Sequence, residues 1–190
     1  SQPTGLGTID ISGYYGLFGG EVWEDPYITG VDRKETGESE FGGDIKYEEV
    51  FGTDLNLSYK YRTIDVDKDV IGSRFEDLRR DGSTHTAGIS YSFEFGNGNM
   101  IEPEFQYEMA DMDGESNSYK GYEGSLTYMK MSQNYMFHLS ISGGFNDYDK
   151  RHPIFDKQRE DNTYGTMGMF TWLNPFGLNK FFVNFGAGYE

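Results

Sequence analysis

The chain has 190 residues, enough for one domain, and 36% of them are hydrophobic, 17% aromatic. Its net charge of −16 excludes the basic footprint of a nucleic-acid surface, and its lack of cysteine excludes disulfides, thiolate metal sites and thiol nucleophiles. No apolar run is long enough for a membrane-crossing helix.

The first predicted strand is Gly7 to Leu17, where Ile9, Ile11, Tyr15 and Leu17 alternate with Thr8, Asp10, Ser12 and Tyr14. A two-residue period sends alternate side chains to opposite faces of a strand. A long acidic loop, 19–39, follows, with Pro26 and Gly30. The alternation resumes from Phe41 to Glu49, breaks at 50–53, and is clean in Leu55, Leu57, Tyr59 and Tyr61 against Asn56, Ser58, Lys60 and Arg62. Residues 65–83 form a second charged loop, in which Val70 to Leu78 could take a helical turn.

Ala87, Ile89, Tyr91, Phe93 and Phe95 then alternate with small polar residues, up to the tight-turn signal Gly96-Asn97-Gly98-Asn99. The next strand sets Ile101, Phe105, Tyr107 and Met109 against Glu102, Glu104, Gln106 and Glu108, with Pro103 the residue least at home in a sheet. After loop 111–118 come two long runs joined at Ser132-Gln133-Asn134: Tyr122 to Tyr128, and Phe137 to Phe145. Such lengths exceed the usual strand of a soluble sheet and suit a tilted membrane crossing. A charged loop, 146–162, precedes Tyr164 to Leu173, and the turn 174–179 leads to Phe181 through Tyr189.

This gives nine strands, with long charged connections alternating with short turns. Bacterial outer-membrane barrels have short periplasmic turns and longer extracellular loops. Phe51, Phe95, Tyr135, Trp172, Phe176 and Phe181 cluster beside the short turns, where an aromatic girdle belongs. The expected fold is an all-β, antiparallel, up-and-down transmembrane β-barrel, forming one domain over 1–190. Single-chain bacterial barrels use even strand numbers. Ten or more strands are therefore expected in the complete protein, with a closing C-terminal strand beyond this chain. Ser1-Gln2-Pro3-Thr4 reads like the start of a processed, exported chain.

Arg151-His152-Pro153-Ile154-Phe155, Arg159-Glu160-Asp161-Asn162, Gly165, Asn174-Pro175-Phe176-Gly177 and Gly186 to Glu190 together resemble the C-terminal barrel region of uncharacterised outer-membrane proteins. The same stretch is similar to the barrel of the surface lipoprotein assembly modifier family. The resemblance implies an outer-membrane barrel that continues for a further strand after the Gly-Tyr-Glu end. It covers only the last part of the chain. That family's periplasmic helical-repeat domain has no counterpart here, which speaks against lipoprotein export.

The lumen-lining candidates are Lys46, Lys60, Arg62, Glu94, Glu102, Glu104, Glu108 and His138. Acid rings favour cations in a pore; the alternative is that Lys46, Lys60 and Arg62 neutralise the carboxylates in a filled lumen. His138 and Ser140 share the spacing of the outer-membrane phospholipase A family. They lack an orienting third group, and alternating strands produce such pairs constantly. Asp147, Asp149 and His152 resemble the rim residues of omptin-like proteases, without a matching motif; His85 likewise sits among loop acids. Asp65 to Asp69 and Asp111 to Glu115 have alternate oxygen ligands but not a full calcium-loop spacing. Divalent ions could still bridge such acidic loops to lipopolysaccharide.

The sequence therefore reads as a non-enzymatic barrel without a resident metal or organic cofactor, in contact with lipid and lipopolysaccharide. It would act as a narrow, porin-like channel or export conduit for small or charged solutes. The alternative is a structural or surface-binding barrel closed by its own side chains, as small barrels often are.

Overall fold

The computed structural model describes residues 6–19, 22–24, 32–34, 37–66, 79–152, 156–177 and 181–189. The possible helical turn Val70–Leu78, Asp67–Asp69, and Pro26 and Gly30 of the first loop lie outside the described residues.

Alternation becomes strand throughout. The strands are β1 (Thr8–Gly19), β2 (Val22–Glu24), β3 (Asp32–Lys34), β4 (Gly37–Glu48), β5 (Leu55–Val66) and β6 (Gly82–Tyr91). They continue with β7 (Phe93–Phe95), β8 (Asn99–Met112), β9 (Tyr119–Met131), β10 (Tyr135–His152), β11 (Lys157–Leu173) and β12 (Phe182–Tyr189). β2 and β3 form a separate small hairpin; all the others make one antiparallel sheet in the order β1-β4-β5-β6-β8-β9-β10-β11-β12, with β7 also on β8. β7 continues β6 after a break at Ser92, so the nine expected strands stand side by side. Only 3₁₀ turns, and no α-helix, interrupt the described residues.

Pro103 sits where that break falls. The β6–β8 ladder ends at Ser90↔Glu104 and resumes between β7 and β8 at Phe93↔Ile101. A residue that cannot donate to a ladder is tolerated where the ladder lapses.

The turns keep their predicted chemistry. Asn97 and Gly98 both have positive φ, 58° and 73°, in the three-residue connection between the paired Phe95 and Asn99. Two other short turns are near copies of each other: Val50–Gly52 and Pro175–Gly177 are 3₁₀ turns in which Phe51 (φ 54°) and Phe176 (φ 57°) take left-handed backbone. A bulky side chain there is strained, yet both rings stand in the open, 75% and 85% exposed.

The loop expected at 146–162 is mostly strand. Asn146↔Asp161, Asp147↔Glu160, Arg151↔Gln158 and His152↔Lys157 pair, extending the β10–β11 hairpin past the apolar region. The alternation vanishes there because both faces are polar, while the backbone ladder continues.

The two faces of the sheet are inverted relative to a soluble protein. Ile11, Leu17, Phe41, Ile45, Ile89, Phe105, Ile141 and Phe185 all point outward and are exposed. The buried hydrophobic residues amount only to Val50, Val66, Ala110 and Tyr148 among the described residues. The charged and small polar side chains alternate onto the opposite face of the same strands.

Register adds the strand inclination. Gly13 pairs with Gly43, and the row continues through Tyr61, His85, Met109 and Lys120 to Asp147. Gly13 is the midpoint of the outward apolar run Ile9–Leu17 on β1, and Ile141 that of Phe137–Phe145 on β10. Asp147 is six residues beyond Ile141 (147 − 141 = 6), after six strand-to-strand steps. The apolar belt thus climbs one residue per strand. At about 3.4 Å per residue and about 4.8 Å between strands, the strands lean by roughly 35° from the belt's normal. That lies in the range of closed barrels. No pairing joins β1 to β12 among the described residues.

Candidate lumen

Because partners across the ladder share a face, the inward residues can be read strand by strand. One wall is charged: Asp44 and Lys46 on β4, Lys60 and Arg62 on β5, Glu102, Glu104, Gln106 and Glu108 on β8. The other is small in its middle rows, with Ser125 and Thr127 on β9, Ser140, Ser142 and Gly144 on β10, Gly165 on β11 and Gly186 and Gly188 on β12, while Glu123 and, toward the short turns, His138 and several methionines share the face. A cavity of about 560 Å³ lies against the charged wall and is lined by Tyr14, Asp44, Lys46, Lys60, Glu102 and Glu104, among others. Every predicted lumen residue except Glu94 lies on β4, β5, β8 or β10 of this face. Glu94, on the short β7, is in register with Met100 beside Glu102, and is exposed.

The carboxylates are not neutralised by the predicted cations. Glu104 accepts from Gln106 Nε2 at 2.8 Å, Glu102 from the Ser92 hydroxyl, and Glu108 from Thr86 Oγ1 at 2.8 Å and from the Tyr119 hydroxyl. All four donors are neutral. Lys60 Nζ instead sits 6.0 Å from the centre of the Tyr14 ring, and Arg62 lies 3.9 Å from Glu40 and donates to Thr84 Oγ1 at 3.3 Å. Among the described residues no ion pair joins Glu102, Glu104 or Glu108 to Lys46, Lys60 or Arg62.

The family scan matches residues 2–190 to the model described as Protein of unknown function (DUF2860). The chain belongs to this family. No curated protein and no solved structure matches it.

In this DUF2860 chain the long-loop mouth is the best packed region. Thr84, Ala110, Ser116, Ser118, Val66 and Tyr148 are buried there. Tyr119 and Tyr148 stand with ring centres 5.2 Å apart. Arg159 lies 4.5 Å over the Tyr148 ring and pairs with Asp161, and Asp161 also accepts from the Tyr148 hydroxyl at 3.1 Å. Asp161 lies outside the apolar run of β11, Tyr164 to Trp172. The Arg159 hydrogen bond holds its carboxyl below the usual range. Sequence reasoning placed these residues in a loop, and only the register shows that they meet.

The catalytic alternatives gain no geometry. Ser140 Oγ accepts from Thr127 Oγ1 at 3.2 Å, and no hydrogen bond links it to His138 among the described residues. His85 faces outward, with Nδ1 2.7 Å from the Tyr59 hydroxyl. Asp147 and Asp149 are exposed rim residues. No group of three or more His, Cys, Asp or Glu is placed to hold a metal among the described residues.

Proposed function

We propose that this protein is an outer-membrane β-barrel whose wet, acidic lumen passes small cations and small polar solutes. The observation that carries the reading is the inverted sheet, with apolar side chains exposed on one face and charged ones on the other, where they line a cavity. Water cannot stabilise the outer face, and hydrocarbon cannot stabilise the inner one; a membrane-spanning barrel satisfies both. The belt's climb of one residue per strand supports the same reading. Among the described residues Glu102, Glu104 and Glu108 bond neutral donors, which leaves their remaining acceptor sites for water. The small-residue wall of β9–β12 leaves room for it, and the acid excess favours cations. The sequence likeness to outer-membrane barrels agrees.

Purified protein reconstituted into planar bilayers tests this. Discrete conductance steps, with a reversal potential in a salt gradient that favours cations, are expected. A folded, inserted protein without conductance overturns the channel reading and leaves a structural barrel.

A further inference from the structure

The chain has eight methionines. Met100, Met129, Met131, Met136, Met167 and Met169 gather on the inward face toward the short turns, around His138. His138 is in register with Met129 on one side and Met169 on the other, Met129 with Met100, and Met131 with Met136. Directly opposed residues have Cβ atoms about 4.5–5.5 Å apart, within reach of a common centre for long thioether side chains. His138 Nδ1 is the single buried side-chain nitrogen or oxygen without a hydrogen-bond partner among the described residues.

Methionine usually fills gaps in packed apolar cores. This face is not such a core beside the methionines: Glu102, Thr127, Ser140 and Gly165, then Glu104, Gln106, Ser125 and Ser142, follow them along β8–β11. Met131 and Met167 remain 63% and 50% exposed. Thioethers beside an imidazole whose Nδ1 has no hydrogen-bond partner form a soft donor set, and soft donors select Cu(I) over harder ions. Glu102 and Glu104 lie further along the same face and raise the local concentration of cations.

We propose that Met129, His138 and Met169, supported by Met100 and Met136, form a binding site for a soft monovalent cation, Cu(I) or its analogue Ag(I). The site goes beyond the channel reading and stands on the register alone, whether or not the lumen conducts.

The test is titration of the full chain in detergent micelles with Ag(I), which needs no reductant, alongside Zn(II). Saturable binding of Ag(I) is expected, with shifts of the His138 ring signals in NMR and no competition from Zn(II). The double variant Met129→Leu, Met169→Leu keeps volume and apolarity; it should weaken binding by more than tenfold, and His138→Phe should abolish the ring-linked signal. Absence of Ag(I) binding, equal binding by the Leu variant, or equal competition by Zn(II) overturns the assignment. Should the double variant fold poorly, the unmodified chain's His138 ring signals decide alone: if Ag(I) does not move them, the site does not exist. Because the measurement is made in micelles, failure to conduct in bilayers has no bearing on it.

Discussion

The ring of Tyr14 lies against Gly42: a Cβ at that glycine would meet its ring carbons at 2.7 and 2.8 Å, and the Tyr61 carbonyl oxygen of the neighbouring strand at 2.7 Å. The two residues are cross-strand partners, and the missing side chain lets the ring lie flat, reach Glu40 with its hydroxyl and shelter Lys60. Gly42→Val should displace the ring and cost about 1–3 kcal/mol, as overpacking does. Gly124→Ala, whose Cβ would meet only a carbonyl oxygen at 4.0 Å, serves as the control. The check is the unfolding midpoint in detergent and denaturant; equal midpoints for both variants would contradict the packing argument.

The acidic wall gives a second expectation. Glu102, Glu104 and Glu108 bond neutral donors, so changing all three to Gln strands no cation. The fold should stay as stable, while any preference for cations weakens. A lowered midpoint with unchanged selectivity would show that these carboxylates hold the barrel together rather than line a passage.

Outward residues follow the opposite rule. Leu57, Ile89, Leu139 and Val183 are exposed on the apolar face, at 41%, 46%, 40% and 38%. Arg at those nearest the middle of a bilayer should cost about 2–4 kcal/mol, less toward either edge. Refolding equilibria into liposomes measure this. Tolerance of Arg at all four positions would reverse the assignment of faces.

Phe51 and Phe176 accept strained backbone to hold exposed rings at the short-turn end, Phe176 beside Trp172 at 5.0 Å and Phe51 edge-on to Tyr47 at 6.3 Å. Rings at a membrane edge act as anchors. Phe51→Gly together with Phe176→Gly should relieve the turns, leaving stability in detergent equal or higher, and should slow insertion into bilayers. Insertion at the parent rate would mean that the rings have another purpose.

At the long-loop mouth the Asp161–Arg159 contact sets an acid limit. The folded carboxyl titrates below its ordinary value, so the stabilisation is present above the unfolded pKa and is lost only as pH falls through the lower, folded one. Asp161→Asn should remove that part of the acid dependence of the β10–β11 hairpin, followed by hydrogen exchange of the 146–161 amides. An identical acid profile in the variant would show that the contact is idle.

How far the sequence carried the argument depended on whether two faces met different media. Ile9 to Leu17 and Phe137 to Phe145 could be read because one face is apolar and the other polar. Beyond Phe145 most residues on both faces are polar, so 146–162 looked like loop although the ladder persists through Asn146↔Asp161, Asp147↔Glu160, Arg151↔Gln158 and His152↔Lys157. The lumen residues were legible as a set, because parity fixes the face. Their partners were not, because pairing depends on register: Glu108 meets Tyr119 rather than Arg62. The methionines around His138 were overlooked for the same reason. Each looks like ordinary filler on its own strand, and only alignment of β8, β9, β10 and β11 brings them together.

The near absence of buried aliphatic side chains among the described residues has a consequence for how this protein acquires its shape. A chain with mean hydropathy −0.68 and sixteen surplus negative charges stays dispersed in water while unfolded. The finished sheet, by contrast, displays its isoleucines, leucines and phenylalanines. Collapse in water would hide almost nothing, so the usual driving force is missing until a hydrocarbon phase arrives to meet the outer face. On the membrane-barrel reading proposed above, shape and solvent are gained in one event: the lipid or detergent that receives the chain takes the place of the missing core.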